Sequence, residues 1–165
     1  MERNHPAIRR QSRMIRVLRR SPVQTFLLVP LATIAFEFAL HGSAMAFQPL
    51  YLAVMLWGFL QYRLVGRYRV KLGGGGPGLS GAPPERLVQT GIYAWTRNPM
   101  YLGHIIYVVG VALTFHSLFG GALAIGRAVW FHMRVLGDER RLAAQFGEPY
   151  LDYKRRVKRW VPGLF

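Results

Sequence analysis

The sequence contains no cysteine. That excludes disulfides, thiolate metal sites and cysteine nucleophiles, while leaving the compartment open. It shows no internal repeat, so its 165 residues read as one folding unit. Lysine is scarce, with 3 against 19 arginines, a bias that points to a GC-rich bacterial genome. Two short stretches, 41–47 and 115–121, hold no lysine or arginine. What the chain does have is a combination seldom found in a soluble domain of this size: 52% hydrophobic side chains together with a net charge of +15.

Segregation along the chain reconciles the two. Apolar runs cover roughly 22–40, 47–62, 99–118 and 119–136, each near the ~20 residues that cross a bilayer. Of the 22 basic residues, 21 fall in the first twenty positions, in 63–97, or from Arg134 onward; Arg127 is the exception. Basic residues mark the cytosolic side. The chain therefore reads as an all-α integral membrane protein of about four spans in two antiparallel hairpins. Both termini lie in the cytosol, the setting being a bacterial cytoplasmic membrane. The expected division is a basic arm (1–20), a first hairpin (21–66), a Gly/Pro-rich connector (67–98), a second hairpin (99–136) and a cytosolic tail (137–165). Residues 22–40 are longer than a signal peptide's apolar region of about 7–15 residues and are read as a retained span.

The charge does not imply nucleic acid. The arginines flank the spans, where anionic lipid attracts them, and no nucleic-acid module accompanies them. Glycines 73, 75 and 78 imitate a dinucleotide fingerprint, but they follow a membrane span and Pro77 interrupts them. The run reads as a flexible loop. Glu37 is expected at the outer interface, served by water or His41, because a carboxylate in hydrocarbon is costly. Arg127 needs a partner or a wet cavity that the sequence does not name. The stretch 149–160 reads as an amphipathic helix in the headgroup region, with Tyr150, Tyr153, Val157 and Trp160 at helical spacing.

Chemistry-bearing groups gather at the cytosolic ends of the third and fourth runs. Arg97, Asn98 and Tyr101 sit at one mouth with His104 a turn deeper, and Asp138 and Glu139 leave the other. Antiparallel spans bring them together. Each has a plain alternative. Arg97 can snorkel to phosphate, the tyrosines and Trp160 can form an aromatic belt, Arg134 can neutralise Asp138 at i,i+4, and the acidic pair can be a solvated helix start. His104 and His132 lack a third partner and make a poor zinc site, so no metal is expected.

Taken together, Gly91-Ile92-Tyr93, Arg97-Asn98-Pro99-Met100-Tyr101-Leu102-Gly103, Asp138-Glu139, Phe146-Gly147-Glu148-Pro149-Tyr150, Tyr153, Arg155-Arg156-Val157 and Pro162 resemble the C-terminal half of the isoprenylcysteine carboxyl methyltransferases and their phospholipid methyltransferase relatives. The resemblance implies a membrane-embedded methyltransferase that uses S-adenosylmethionine on a lipid or isoprenoid-bearing acceptor. It implies a cofactor site of Tyr93, Asn98, Pro99, Tyr101, Leu102, Gly103, His104, Asp138, Glu139, Tyr150 and Tyr153. Arg97, Arg156 and Glu139 would be catalytic. Asn98 stands where the eukaryotic prenylcysteine enzymes have histidine, and Asp138 replaces a glutamate. A carboxylate acceptor needs only a cation to hold it, a role suited to Arg97 or Arg156. An amine acceptor needs a base, and Glu139 is the candidate. Phospholipid N-methylation, an NADPH-dependent sterol or isoprenoid reductase, and a non-enzymatic scaffold for anionic lipid stay open as alternatives.

Overall fold

A computed structural model describes residues 20–76 and 83–161. All but the last residue of the basic arm expected over 1–20, residues 77–82 of the glycine loop, and Pro162 lie outside the described residues. Helix α1 runs over Ser21–Ala44, with a wide π-helical turn at Gln24–Leu28 and a tight final turn at Gly42–Ala44. Pro30 explains the irregularity. It has no N–H to give the Phe26 carbonyl, and the Tyr107 hydroxyl donates to that oxygen instead at 3.4 Å. Helix α2 spans Leu52–Gly73, α3 Pro99–Thr114, α4 Leu118–Phe146 and α5 Glu148–Arg156.

Two expected boundaries move. Helix α2 continues to Gly73, well past residue 62, and α4 is unbroken from Leu118 to Phe146, so no joint separates the fourth run from the tail at 136. The break comes at Gly147, where φ is 58°. Glycine tolerates that left-handed conformation, which ends the helix and redirects the chain.

Neighbouring helices run antiparallel. Gly58 of α2 meets Gly103 and Tyr107 of α3, while Met55 meets Gly110. Along α4, Gly120 lies by Thr33 of α1, and Arg127 reaches back to Thr25 and Gln24. The approach of α2 to α3 is close enough that a Cβ on Gly58 would stand 2.5 Å from the Tyr107 nitrogen, and one on Gly103 would stand 2.9 Å from the Gly58 oxygen. Gly103 is therefore a helix-packing residue, a use common where helices associate without water. The buried interior between the helices includes Val108, Val111, Phe131 and Val135, all at 0% exposure.

The outward faces are apolar too. Leu27, Leu31 and Phe38 on α1, Leu56 and Trp57 on α2, and Ile125, Val129 and Met133 on α4 are all exposed. Among the described residues, one helix, Ser21–Ala44, is long and apolar enough to cross a membrane, and only 22% of its apolar window is buried. The core helix of a soluble protein would be mostly covered. Pro99–Thr114 is a shorter apolar helix.

Two charged groups within the helices find polar partners. At the far end of the bundle Glu37 accepts a hydrogen bond from the Ser117 hydroxyl at 2.6 Å and lies 3.4 Å from the His41 ring nitrogen Nε2, so the expected histidine partner is present. The Ser117 oxygen also accepts the Gly120 N–H at 2.8 Å and caps α4. Arg127 finds Gln24 Oε1 at 3.0 Å and Thr25 Oγ1 at 2.8 Å. Its guanidinium lies over the Trp130 and Phe131 rings.

Gly58→Ala or Gly103→Ala is expected to lower stability by about 1–3 kcal/mol, since backbone on the facing helix cannot yield as a side-chain tip can. Gly121→Ala, which meets nothing within 4 Å, should be neutral. Thermal unfolding in detergent checks both.

Candidate functional site

Where α3 begins and α4 passes out of the apolar region, the chain buries two adjacent carboxylates. Asp138 is 2% exposed and Glu139 5%. Burying such charge is costly unless it is paired and hydrogen-bonded, and the surrounding sequence supplies the partners. Arg97 donates to Glu139 Oε1 from NH2 at 2.8 Å and from Nε at 3.2 Å. Arg159 grips both oxygens of the same carboxylate, at 3.0 Å each, in the planar fork geometry of arginine. Lys154 stands at 3.8 Å. Burial alone pushes the Glu139 carboxyl up, but the hydrogen bonds from Arg159 and Arg97 outweigh it and hold the group below the usual carboxylate range. The same contact raises Arg159.

Asp138 has its own set. The Tyr101 hydroxyl donates to Oδ2 at 2.7 Å, and Arg141 donates to Oδ1 at 3.0 Å. Arg134 does not pair with Asp138, as i,i+4 spacing allowed; it donates to the Tyr101 oxygen at 3.0 Å. Tyr101 thus acts on the site through Asp138.

The tail is strapped across this pair by backbone as well as charge. The Arg97 N–H bonds the Lys158 carbonyl at 3.0 Å, and the Arg97 side chain bonds the carbonyls of Lys154 and Val157. Thr96 and Asn98 both donate to the Arg159 carbonyl, at 3.0 and 3.3 Å. Asn98 opens α3, and Thr96 Oγ1 accepts its N–H. Beyond α5, Trp160 donates to His132 at 3.2 Å. Helix α5 ends at Arg156, so the helix expected to reach 160 is shorter. Its aromatic face is also turned inward. Tyr150 and Tyr153 are 1% and 3% exposed, packing with Val157 against Leu87, Leu142 and Phe146. The Tyr153 hydroxyl donates to the Tyr93 carbonyl at 2.7 Å. Burial pushes the Tyr150 phenol up to about 12, with Glu139 adding to the effect, so it stays a neutral hydroxyl.

Several of these groups line one cleft. Of the residues expected from the sequence, Tyr93, Arg97, Asn98, Asp138, Glu139, Tyr150 and Tyr153 line it. Pro99, Tyr101, Leu102, Gly103 and His104 do not. Pro99 accepts Gln61 through its carbonyl at 2.9 Å. His104 is buried in the helix interior against Phe26, Tyr62 and Phe131. Arg156 is exposed and bonds Gln89 at 2.9 Å, away from the cleft. Sequence reading missed Pro84, Arg86, Leu87, Val88 and Leu142 on the wall, and above all Arg69. Arg69 is 8% exposed, and its Nε is buried with no partner.

Glu139→Ala would leave two guanidiniums facing each other, one of them buried, and is expected to cost about 3 kcal/mol or more. A spin label on Val161→Cys, the chain being otherwise free of cysteine, reports it: the tail should be immobile in the parent protein and mobile in Glu139→Ala at pH 7. Because folding lowers the Glu139 pKa, its contribution is complete above the unfolded value of about 4.3 and is lost as pH falls through the lower folded value. The label should therefore stay immobile at pH 5 and loosen only in stronger acid.

Residues 74–148 match the family model described as phospholipid methyltransferase. Over 78 residues the chain is 37% identical to the protein-S-isoprenylcysteine O-methyltransferase of Mus musculus, covering 46% of this chain and 27% of that protein. The Homo sapiens protein of the same name is 36% identical over 78 residues, with the same coverage. That of Schizosaccharomyces pombe is 32% identical over 78 residues, covering 46% of this chain and 33% of the relative. The chain thus spans about a third or less of the length of the curated relatives it matches. The segment that carries the Arg97 motif, α3, α4 and the buried acidic pair is thus similar to phospholipid and isoprenylcysteine methyltransferases.

Proposed function

We propose that this protein is a membrane-embedded methyltransferase that uses S-adenosylmethionine on a lipid or isoprenoid-bearing acceptor carrying a carboxylate. The observation that carries the reading is the cleft itself: two buried carboxylates, a tyrosine-rich wall and one buried guanidinium with a free donor, set where the helices leave the apolar region. The donor set suits the group. S-adenosylmethionine bears a sulfonium and an ammonium, which buried carboxylates attract. It also bears a flat adenine, which Tyr93, Tyr150, Leu87 and Leu142 can face. When bound, it supplies a methyl on a cationic sulfur, so attack by a carboxylate neutralises charge.

The chain's own residues fit that demand. The tail strap and the tyrosines exclude water, and a dry site favours a reaction in which charge disappears. Arg97 and Arg156 were the expected anchors for the acceptor. Arg97 is engaged by Glu139 and backbone carbonyls, and Arg156 points away. We assign the anchoring role to Arg69, which lines the cleft, donates through NH2 to the Gly76 carbonyl and keeps an unpartnered Nε for a carboxylate. Glu139, held ionised by two arginines, is a weak base, which favours a carboxylate acceptor over an amine. Four spans with cytosolic termini complete the reading, supported by the arginine distribution and the outward apolar faces.

Calorimetry with S-adenosylhomocysteine tests the cofactor, and transfer of labelled methyl to an S-isoprenylated cysteine tests the acceptor. Wild type should bind and transfer. Arg69→Gln should still bind S-adenosylhomocysteine but lose about 100-fold in transfer, the scale of a misplaced reactant. Binding of NADPH in place of S-adenosylhomocysteine would favour the reductase alternative, and binding of neither would favour the scaffold.

A further inference from the structure

Arg127 and Arg134 of α4 lie outside the cleft, and among the described residues neither has an acidic partner. Arg127, Trp130 and Arg134 follow one another at i, i+3 and i+7, on one face of the helix and about 10 Å from end to end. Both guanidinium carbons lie over the same indole, at 4.7 and 5.4 Å from its ring centre. Among the described residues, neither guanidinium meets a carboxylate. Arg127 has only the neutral oxygens of Gln24, Thr25 and Ser21, and its Nε is buried without a partner. Arg134 has only the Tyr101 hydroxyl. Trp130 is 39% exposed and the two arginines are half-buried, so the indole brings this row to the surface.

The depth follows from α1. Arg127 is tied to the first residues of that helix, Ser21, Gln24 and Thr25, the end that is cytosolic on the positive-inside reading. A pair of guanidiniums at the edge of hydrocarbon needs an anion, and the anion present there is lipid phosphate. A phosphate oxygen takes charge-assisted hydrogen bonds from arginine, while the indole suits the boundary between headgroup and acyl chain. A zwitterionic headgroup would bring its ammonium against the second guanidinium. We propose that the Arg127–Trp130–Arg134 row is a binding site for the phosphate of an anionic phospholipid in the cytosolic leaflet. The proposal rests on the membrane reading of α4 and not on methyl transfer.

Native mass spectrometry of the delipidated full chain tests it, with phosphatidylglycerol, phosphatidylcholine and inorganic phosphate as probes. Phosphatidylglycerol should be retained about ten-fold better than phosphatidylcholine, and millimolar inorganic phosphate should not displace it. Arg127→Gln and Arg134→Gln should each lower retention about ten-fold, the worth of one charge-assisted hydrogen bond. Arg127 also joins α4 to α1, so Arg134→Gln, which leaves that joint intact, carries the test alone if the other variant does not fold. Arg155→Gln, on the exposed face of α5, should retain the lipid as wild type does. Equal retention of the two lipids, undiminished retention in Arg134→Gln, or an equal loss in Arg155→Gln would overturn the site in favour of diffuse charge. Displacement by inorganic phosphate would overturn the lipid as its occupant.

Discussion

The site depends on one buried carboxylate. Glu139 is 5% exposed and gathers Arg97 from the start of α3, Arg159 from beyond α5, and Lys154 at a greater distance. Three separate parts of the chain meet on it. Remove the charge and Arg97 and Arg159 repel across a low-dielectric gap, while the carbonyls that receive Arg97 lose their donor's orientation. The backbone bonds from Arg97, Thr96 and Asn98 to residues 158 and 159 are short-range consequences of the same meeting. Tyr150 and Tyr153 reach the cleft because the tail is held there. The clamp is therefore better understood as the framework of the cleft than as the group that acts on a substrate.

Much of this was legible in the sequence, for physical reasons that can be named. Segregation of apolar runs from arginines showed where helices pack and where chain emerges. The acidic pair and Arg97 stood out because antiparallel runs bring their ends together; that Arg97 binds Glu139 was not foreseen, since Arg97 was expected to hold the acceptor. Tyr93, Asn98, Tyr150 and Tyr153 followed from the resemblance. Other assignments failed because sequence spacing does not reveal which phase a face meets. The periodic tyrosines of 149–160 read equally as a headgroup face or a protein-facing one, and burial decides for the second. Gly103 and Pro99 share a motif with Arg97, yet they serve the contact with α2. Arg69 was hidden among Arg63, Arg67 and Lys71, any of which reads as a topology signal; only its burial and its free Nε distinguish it.

Arginine serves three purposes in this chain. At exposed positions such as Arg155 it forms surface pairs of little energetic consequence. Around Glu139 it neutralises a carboxylate and ties the tail to α3. On α4 an indole lies between two guanidiniums that meet no acid among the described residues. The chain has 22 basic and 7 acidic residues. On the reading proposed above, some of the excess is directed to the leaflet and Arg69 serves a ligand, while around Glu139 it is buried against carboxylate.

The most direct test of the clamp is a double-mutant cycle on Arg97 and Glu139, read through affinity for S-adenosylhomocysteine. If Arg97 acts by holding Glu139 and the tail, Arg97→Gln and Glu139→Gln each weaken binding. The double variant is then no weaker than the worse single one, a coupling above about 1 kcal/mol. Additive losses would mean that the two residues meet the ligand independently, and would contradict the account.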